Sequence, residues 1–169
     1  MSASVFFTSD LHFGHTNLLS FRSEVHNKLF PTTEHMNEWL VEQWNSRVRR
    51  KDIVWVLGDL AWGSDSLKYF NMCNGHKRVI LGNHDNFAIT EYATYFDKVY
   101  GIWKKYGFVM SHVPIHEQEM QYRNWGTNVH GHIHHKGKLL EEPKYICVNV
   151  DVRGGLPVSL DEVRNIINQ

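Results

Sequence analysis

Three short apolar runs, each halted by a glycine or a carboxylate, constrain this chain more than any other feature. Val5-Phe6-Phe7-Thr8 stops at Ser9-Asp10, Ile53-Val54-Trp55-Val56-Leu57 stops at Gly58-Asp59, and Val79-Ile80-Leu81 stops at Gly82-Asn83-His84-Asp85. Such runs read as buried strands, with the polar residues just past them in loops at strand ends. Helical patterns lie between them. From Thr33 the apolar residues Met36, Leu40, Trp44 and Val48 recur every four positions, with Thr32 or Thr33 available as a cap, and Ser64 to Met72 reads as another helix. Alternating strand and helix implies parallel pairing through right-handed crossovers. The C-terminal strand ends of such a sheet meet at one edge, so residues far apart in sequence can surround one ligand.

Beyond a helix expected over Ile89 to Phe96, the pattern turns strand-rich: Val99 to Trp103, Phe108 to Ser111, Asn128-Val129, and Tyr145 to Val150. Ser159-Leu160-Asp161-Glu162 has the form of a cap and first turn for a closing helix that ends near Ile167. Phe6, Phe7, Trp39, Trp44, Trp55, Phe70 and Phe108 sit on strand or helix patterns and are expected in the core. There is no internal repeat or linker, and 169 residues suit a single domain over 1–169.

Composition narrows the function. A hydrophobic fraction of 42% with 13% aromatics excludes a disordered chain. Lys+Arg and Asp+Glu are equal at 18 each, so no surplus of positive charge can track a long nucleic acid, and extended nucleic-acid binding is not expected. Cys73 and Cys147 form no CxxC pair and read as free thiols. No apolar run approaches the roughly 20 residues that cross a bilayer, and Met1-Ser2-Ala3-Ser4 has no signal-type character. A cytoplasmic protein without membrane contact is expected.

Histidine is the anomaly: twelve are present, and several are clustered. Five motifs follow in order, Asp10-Leu11-His12, Gly58-Asp59, Gly82-Asn83-His84-Asp85, Ser111-His112 and His130-Gly131-His132, each after an apolar run or beside a glycine. Any one of them is more often a turn than a site; their joint order carries the signal. Imidazole, carboxylate and amide donors together suit manganese, iron, zinc or nickel, with magnesium a further candidate. Two divalent cations, two aspartates and a hydroxide would leave about one positive charge, which attracts an anionic ester. His26, His35, His76 and His116 fall outside the motifs and read as exposed or hydrogen-bonded, while His134 and His135 read as exposed or supporting.

The ordered series D-x-H, G-D, G-N-H-D, S-H and G-H-x-H, taken as spanning Asp10 to His132, resembles the calcineurin-like metallophosphoesterases. The resemblance implies a metallo-dependent phosphatase-like fold, a four-layer α/β/β/α sandwich of two mixed sheets flanked by helices, in a minimal form without a cap domain. It also implies that Asp59 bridges two metals, that Asp10, His12 and His132 complete one shell, and that Asn83, His112 and His130 serve the second. His84 would then contact the ester and protonate or stabilise the leaving oxygen, opposite a hydroxide held between cations roughly 3.5–4 Å apart. Asp85, as a neighbouring carboxylate, is expected to orient the His84 imidazole or its loop.

The opening Ser9 to Asn17 resembles a compact prokaryotic or phage branch of that superfamily, which would set His15, Asn17 and Arg22 at the substrate's border. Tyr122, Arg123 and Trp125 cluster between two ligand segments, in a stretch read as a loop over 113–126, and are expected to stack on a base or clamp a phosphate. The function expected is metal-dependent hydrolysis of a small phosphomonoester or phosphodiester, a cyclic nucleotide among the candidates. A metal-dependent nuclease and a non-catalytic scaffold similar to the retromer subunit of this fold are the alternatives. Retention of His84 and of the ligand set favours the enzyme.

Overall fold

The computed structural model describes residues 2–135 and 142–169. Nine strands form two mixed sheets among these residues. The first sheet holds β1 (Val5–Thr8), β2 (Ile53–Leu57), β3 (His76–Ile80), β4 (Lys98–Tyr100) and the late strand β9 (Val158–Ser159), in the order β4-β3-β2-β1-β9. Its first four strands run parallel, and β9 closes the edge antiparallel to β1. The second sheet holds β5 (Trp103–Lys105), β6 (Phe108–Met110), β7 (Asn128–His130) and β8 (Tyr145–Cys147), parallel except for the β5–β6 pair.

The period-two alternation of strand side chains explains the layering. Val54 and Val56 of β2 face one core, packed with Leu40 and Trp44 of α2 (Thr33–Arg47), with Phe70, and with Tyr92 of α3 (Ile89–Tyr95). Trp55 and Leu57, the residues between and beyond them, face a second core with Phe108, Met110, Val129 and Ile146 from the other sheet. The first sheet is therefore covered on both faces, which is why its strands read as unbroken apolar runs. Val163 of α5 (Leu160–Ile167) joins the second core. The remaining α-helices among the described residues are α1 (Leu19–Val25) and α4 (Glu117–Tyr122). The expected pair of mixed sheets flanked by helices is the architecture observed.

Local chemistry sets the helix ends. Thr32 accepts from the His35 N–H at 3.3 Å at the start of α2. Ser159 and Glu162 form the reciprocal box that opens α5, with N–H to oxygen distances of 3.2 Å and 2.7 Å. The helix expected over Ser64 to Met72 is present as a 3-10 segment, Ser64–Asn71. Two other expectations need correction. The strand expected over Val99 to Trp103 is divided by Gly101-Ile102, so its halves, β4 and β5, enter different sheets. The stretch expected as a loop over 113–126 contains α4.

The sheets meet where β1 ends. Ser9 bridges Asn149 in parallel, and the Val150 N–H donates to the Ser9 carbonyl at 3.2 Å, so the chain leaving β8 docks on the residue before Asp10. No helix among the described residues is long and apolar enough to cross a membrane.

Candidate metal centre

The segments leaving β1 and β2 run side by side beyond the strands. Asp10, His12 and Phe13 donate their N–H groups to the carbonyls of Gly58, Asp59 and Leu60 at 2.9, 3.0 and 3.1 Å. This short ladder brings Asp10, His12 and Asp59 to one edge. All three, with His132, adopt left-handed backbone, at φ 60°, 46°, 54° and 68° respectively. Asp and His are among the L-residues found in this region more often than most, and such outliers concentrate at functional sites.

Two clusters of ligand atoms result. Asp10, His12 and His134 form one and Asp59, His112 and His132 the other, with the donor atoms in each within 4.8 Å of one another. The Oδ2 of Asp59 lies 3.5 Å from Nε2 of His12 and 3.3 Å from Nε2 of His112, so this carboxylate stands between the clusters. Asn83 adds its Oδ1 at 2.9 Å from His112 Nε2.

The imidazoles are set by what their other nitrogens touch. His112 Nδ1 lies 2.7 Å from the Leu57 carbonyl and His134 Nδ1 lies 2.7 Å from Oδ2 of Asp151, which in each case leaves Nε2 facing the centre. The His132 N–H donates to both oxygens of Asp10, at 3.1 and 3.0 Å. Close approach here requires Gly131, where a Cβ would fall 2.5 Å from Ser9 Oγ and 2.6 Å from Asp10 Oδ2.

The electrostatics suit cation binding. Burial lowers the pKa of His12 to about 4, against the pull of Asp10 and Asp59, so its ring is neutral at pH 7. Burial works to raise the pKa of Asp59, but the hydrogen bond and charge of His112 and the His84 N–H hold it at about 2. Burial likewise opposes protonation of His112 and His134, yet Asp59 raises the first, and Asp10 with Asp151 pushes the second up to about 9. Without cations Asp59 is thus ionised at neutral pH, and His134 holds a proton between Asp10 and Asp151. Nδ1 of His12 and Nε2 of His130 are buried with no hydrogen-bond partner among the described residues. Carboxylate oxygens, imidazole nitrogens aimed at one space and an unpartnered buried nitrogen are what a divalent-cation site provides. The residues fit the group.

The sequence expectations fare unevenly here. Asp10, His12, Asp59, Asn83, His112 and His132 are brought together. His134, expected to be exposed or supporting, takes the place assigned to His132 beside Asp10 and His12, and His132 takes the place assigned to His130. The G-H-x-H motif is therefore Gly131-His132-Ile133-His134, two residues later than expected; His130 stays inside β7, its Nδ1 at 2.8 Å from the Gly131 carbonyl. His84 is exposed at the edge, its backbone N–H donating to Asp59 Oδ1 at 3.0 Å.

Asp85 braces the loop rather than the His84 ring: its oxygens accept from the N–H groups of Gly82, Asp59 and Leu60 at 2.7, 2.8 and 2.9 Å. Arg22 is fully buried, not at a substrate border, because its guanidinium donates to Asp151 Oδ1 at 2.9 Å and to the carbonyls of Asp10 and Leu11. His15 lines the cleft beside His84, whereas Asn17 is exposed in the 3-10 turn Thr16–Leu18 and does not. Tyr122, Arg123 and Trp125 do cluster, with the guanidinium 5.8 and 5.9 Å from the two rings, but Arg123 is tied to Glu119 and none of the three lines the clefts at His84. Asp151 was missed by sequence reasoning because no local motif surrounds it.

Comparison with known proteins points to one family. The family model for calcineurin-like phosphoesterases matches residues 3–161. An uncharacterised protein of Methanocaldococcus jannaschii, MJ1445, is 33% identical over an alignment covering 98% of this chain and 92% of its own. The gene 66 protein of Mycobacterium phage D29 is 28% identical, with 98% of this chain and 96% of its own covered. A solved structure, the protein of unknown function AQ665 from Aquifex aeolicus, superposes with a TM-score of 0.76 at 25% identity and covers 98% of this chain and all of its own. The family match spans every strand end that presents a ligand atom, and on that ground the chain belongs to the calcineurin-like phosphoesterase family.

Proposed function

We propose that this protein hydrolyses phosphate esters with a pair of divalent cations, manganese being the first to test. The observation that carries the reading is the position of Asp59, whose Oδ2 faces His12 of one ligand cluster and His112 of the other. Asp10, His12 and His134 would hold one cation; Asp59, His112, His132 and the Asn83 amide would hold the second. A bound pair supplies Lewis acidity toward a phosphate oxygen and a water acidic enough to act at neutral pH.

The chain's own residues supply orientation and a proton. Asp85 clamps the loops of Asp59 and Gly82, and the His84 N–H fixes Asp59 Oδ1, so the loop bearing His84 is referenced to the carboxylate between the clusters. The exposed His84 ring, 5.8 Å from that of His12, then meets the ester and gives a ring proton to the departing oxygen. The two clefts at His84 are lined by no lysine or arginine among the described residues, which weighs against a nuclease that tracks a strand.

The test is manganese-dependent hydrolysis of a generic monoester and a generic diester by the wild type, Asp59→Asn and His84→Ala, with metal content measured in parallel. Expected are turnover by the wild type, loss of metal from Asp59→Asn, and a metallated but inactive His84→Ala. A wild type that takes up no metal would overturn the reading.

A further inference from the structure

Trp62 stands three residues beyond Asp59 with 52% of its surface exposed. Leaving a large aromatic in water forgoes the burial that such side chains ordinarily gain. The backbone nevertheless holds it there firmly. Its N–H donates to the Phe13 carbonyl at 2.7 Å, and Ala61 before it bridges Phe13 as the ladder from β1 and β2 ends. One side of the indole packs on His15 with ring centroids 4.1 Å apart, and the His84 ring is 5.8 Å away.

Trp62 thus borders both clefts that reach His84. One, of about 310 Å³, runs past His12 and His134 to Phe21; the other, of about 260 Å³, lies between Trp62 and Asn83, Asn86 and Phe87. Phe21 packs edge-on against His135, with centroids 5.2 Å apart, and it lines the first cleft together with Trp62. With no lysine or arginine in either lining among the described residues, the described walls of these clefts offer little to a second phosphate. They offer π-faces and imidazole edges to a flat, polar-rimmed ring.

We propose that Trp62 determines specificity by stacking on the nucleobase of the ester, so that the substrates are nucleoside phosphates rather than esters of simple alcohols. The inference rests on the phosphoesterase reading for the position of the phosphate. Stacking on an aromatic side chain tolerates any base, because every base presents a π-face. Discrimination for the base over its absence is therefore expected, with little preference among bases.

Binding tests this without requiring turnover. Manganese-loaded protein is titrated calorimetrically with AMP and with ribose 5-phosphate, which shares the phosphate and sugar and lacks the base. The wild type should bind AMP roughly tenfold tighter or more, Trp62→Ala should bring AMP to the ribose 5-phosphate level, and Trp62→Phe should restore much of the difference. Equal affinities in the wild type, or discrimination that survives Trp62→Ala, would overturn the proposal. Failure of the phosphoesterase reading looks different: base discrimination that depends on Trp62, with no manganese-dependent hydrolysis of any ester.

Discussion

Asp151 and His134 are joined at 2.7 Å, between Oδ2 and Nδ1, and this contact links the candidate metal centre to a fully buried ionic network. The other oxygen of Asp151 accepts from Arg22 at 2.9 Å and meets His26 Nε2 at 3.1 Å. Arg22 in turn donates to the carbonyls of Asp10 and Leu11, so the same guanidinium supports the backbone of one ligand and the carboxylate behind another. Burial works to raise the pKa of Asp151, but the charge of Arg22 and the hydrogen bonds from His134 and His26 hold it well below the usual carboxylate range.

Replacing Asp151 by Asn should therefore weaken metal binding and the fold together. Loss of a carboxylate behind a ligating imidazole lowers affinity about 10–100-fold. Leaving Arg22 buried without its anion costs about 3–5 kcal/mol. Calorimetric titration with manganese and urea denaturation measure the two effects, and an Asp151→Asn protein unchanged in both would show the network to be idle.

The register of the histidine motif can be read from metal content. His134→Ala should lose about one of two bound cations, because His134 belongs to the cluster of Asp10 and His12. His130→Gln should keep both, since His130 belongs to neither cluster. The reverse pattern, with His130 needed and His134 dispensable, would restore the earlier placement of the motif.

Asp85→Ala removes the acceptor for three backbone N–H groups, those of Gly82, Asp59 and Leu60. Hydrogen bonds to a charged group contribute about 1.5–3 kcal/mol each, so a loss of several kcal/mol in chemical denaturation is expected. Because two of these donors flank the carboxylate between the clusters, metal content should fall as well.

Burial pushes the thiols of Cys73 and Cys147 up to about 12, from an ordinary 9.0. Both should resist iodoacetamide in the native protein at about pH 8 and react only as fast as the chain opens. A pKa raised on folding means that the unfolded chain loses its protons first. The stabilising contribution is thus complete below the ordinary value and declines as pH rises from 9.0 toward 12. Cys73→Ala should flatten part of that decline in a series of denaturation curves.

The strands at the centre of the first sheet were readable because both their faces are buried, so that β1 and β2 appear as unbroken apolar runs. The start of β3 was not: His76, Lys77 and Arg78 pair with Ile53, Val54 and Trp55 through backbone groups, which hydropathy does not register. The ligands beside a strand end and a glycine were readable for the same local reason. His134 was legible too, since the spacing G-H-x-H occurs in this chain at Gly131-His132-Ile133-His134, whereas His130-Gly131-His132 lacks it. Arg22 and Asp151 lie 129 residues apart and recognise each other only in the folded chain.

The left-handed conformations at Asp10, His12, Asp59 and His132 carry a consequence for how such a chain ages in evolution. An L-residue held there costs roughly 1–2 kcal/mol that glycine would not, so the backbone turns that aim the ligands oppose durability. Glycine would relieve each turn, but at Asp10 and Asp59 it would also remove the carboxylates that accept from the His132 and His84 N–H groups, a loss of about 1–3 kcal/mol for each partner left unmatched. The side chains that strain these turns also tie them together, so a lineage could shed them only by loosening the same loops.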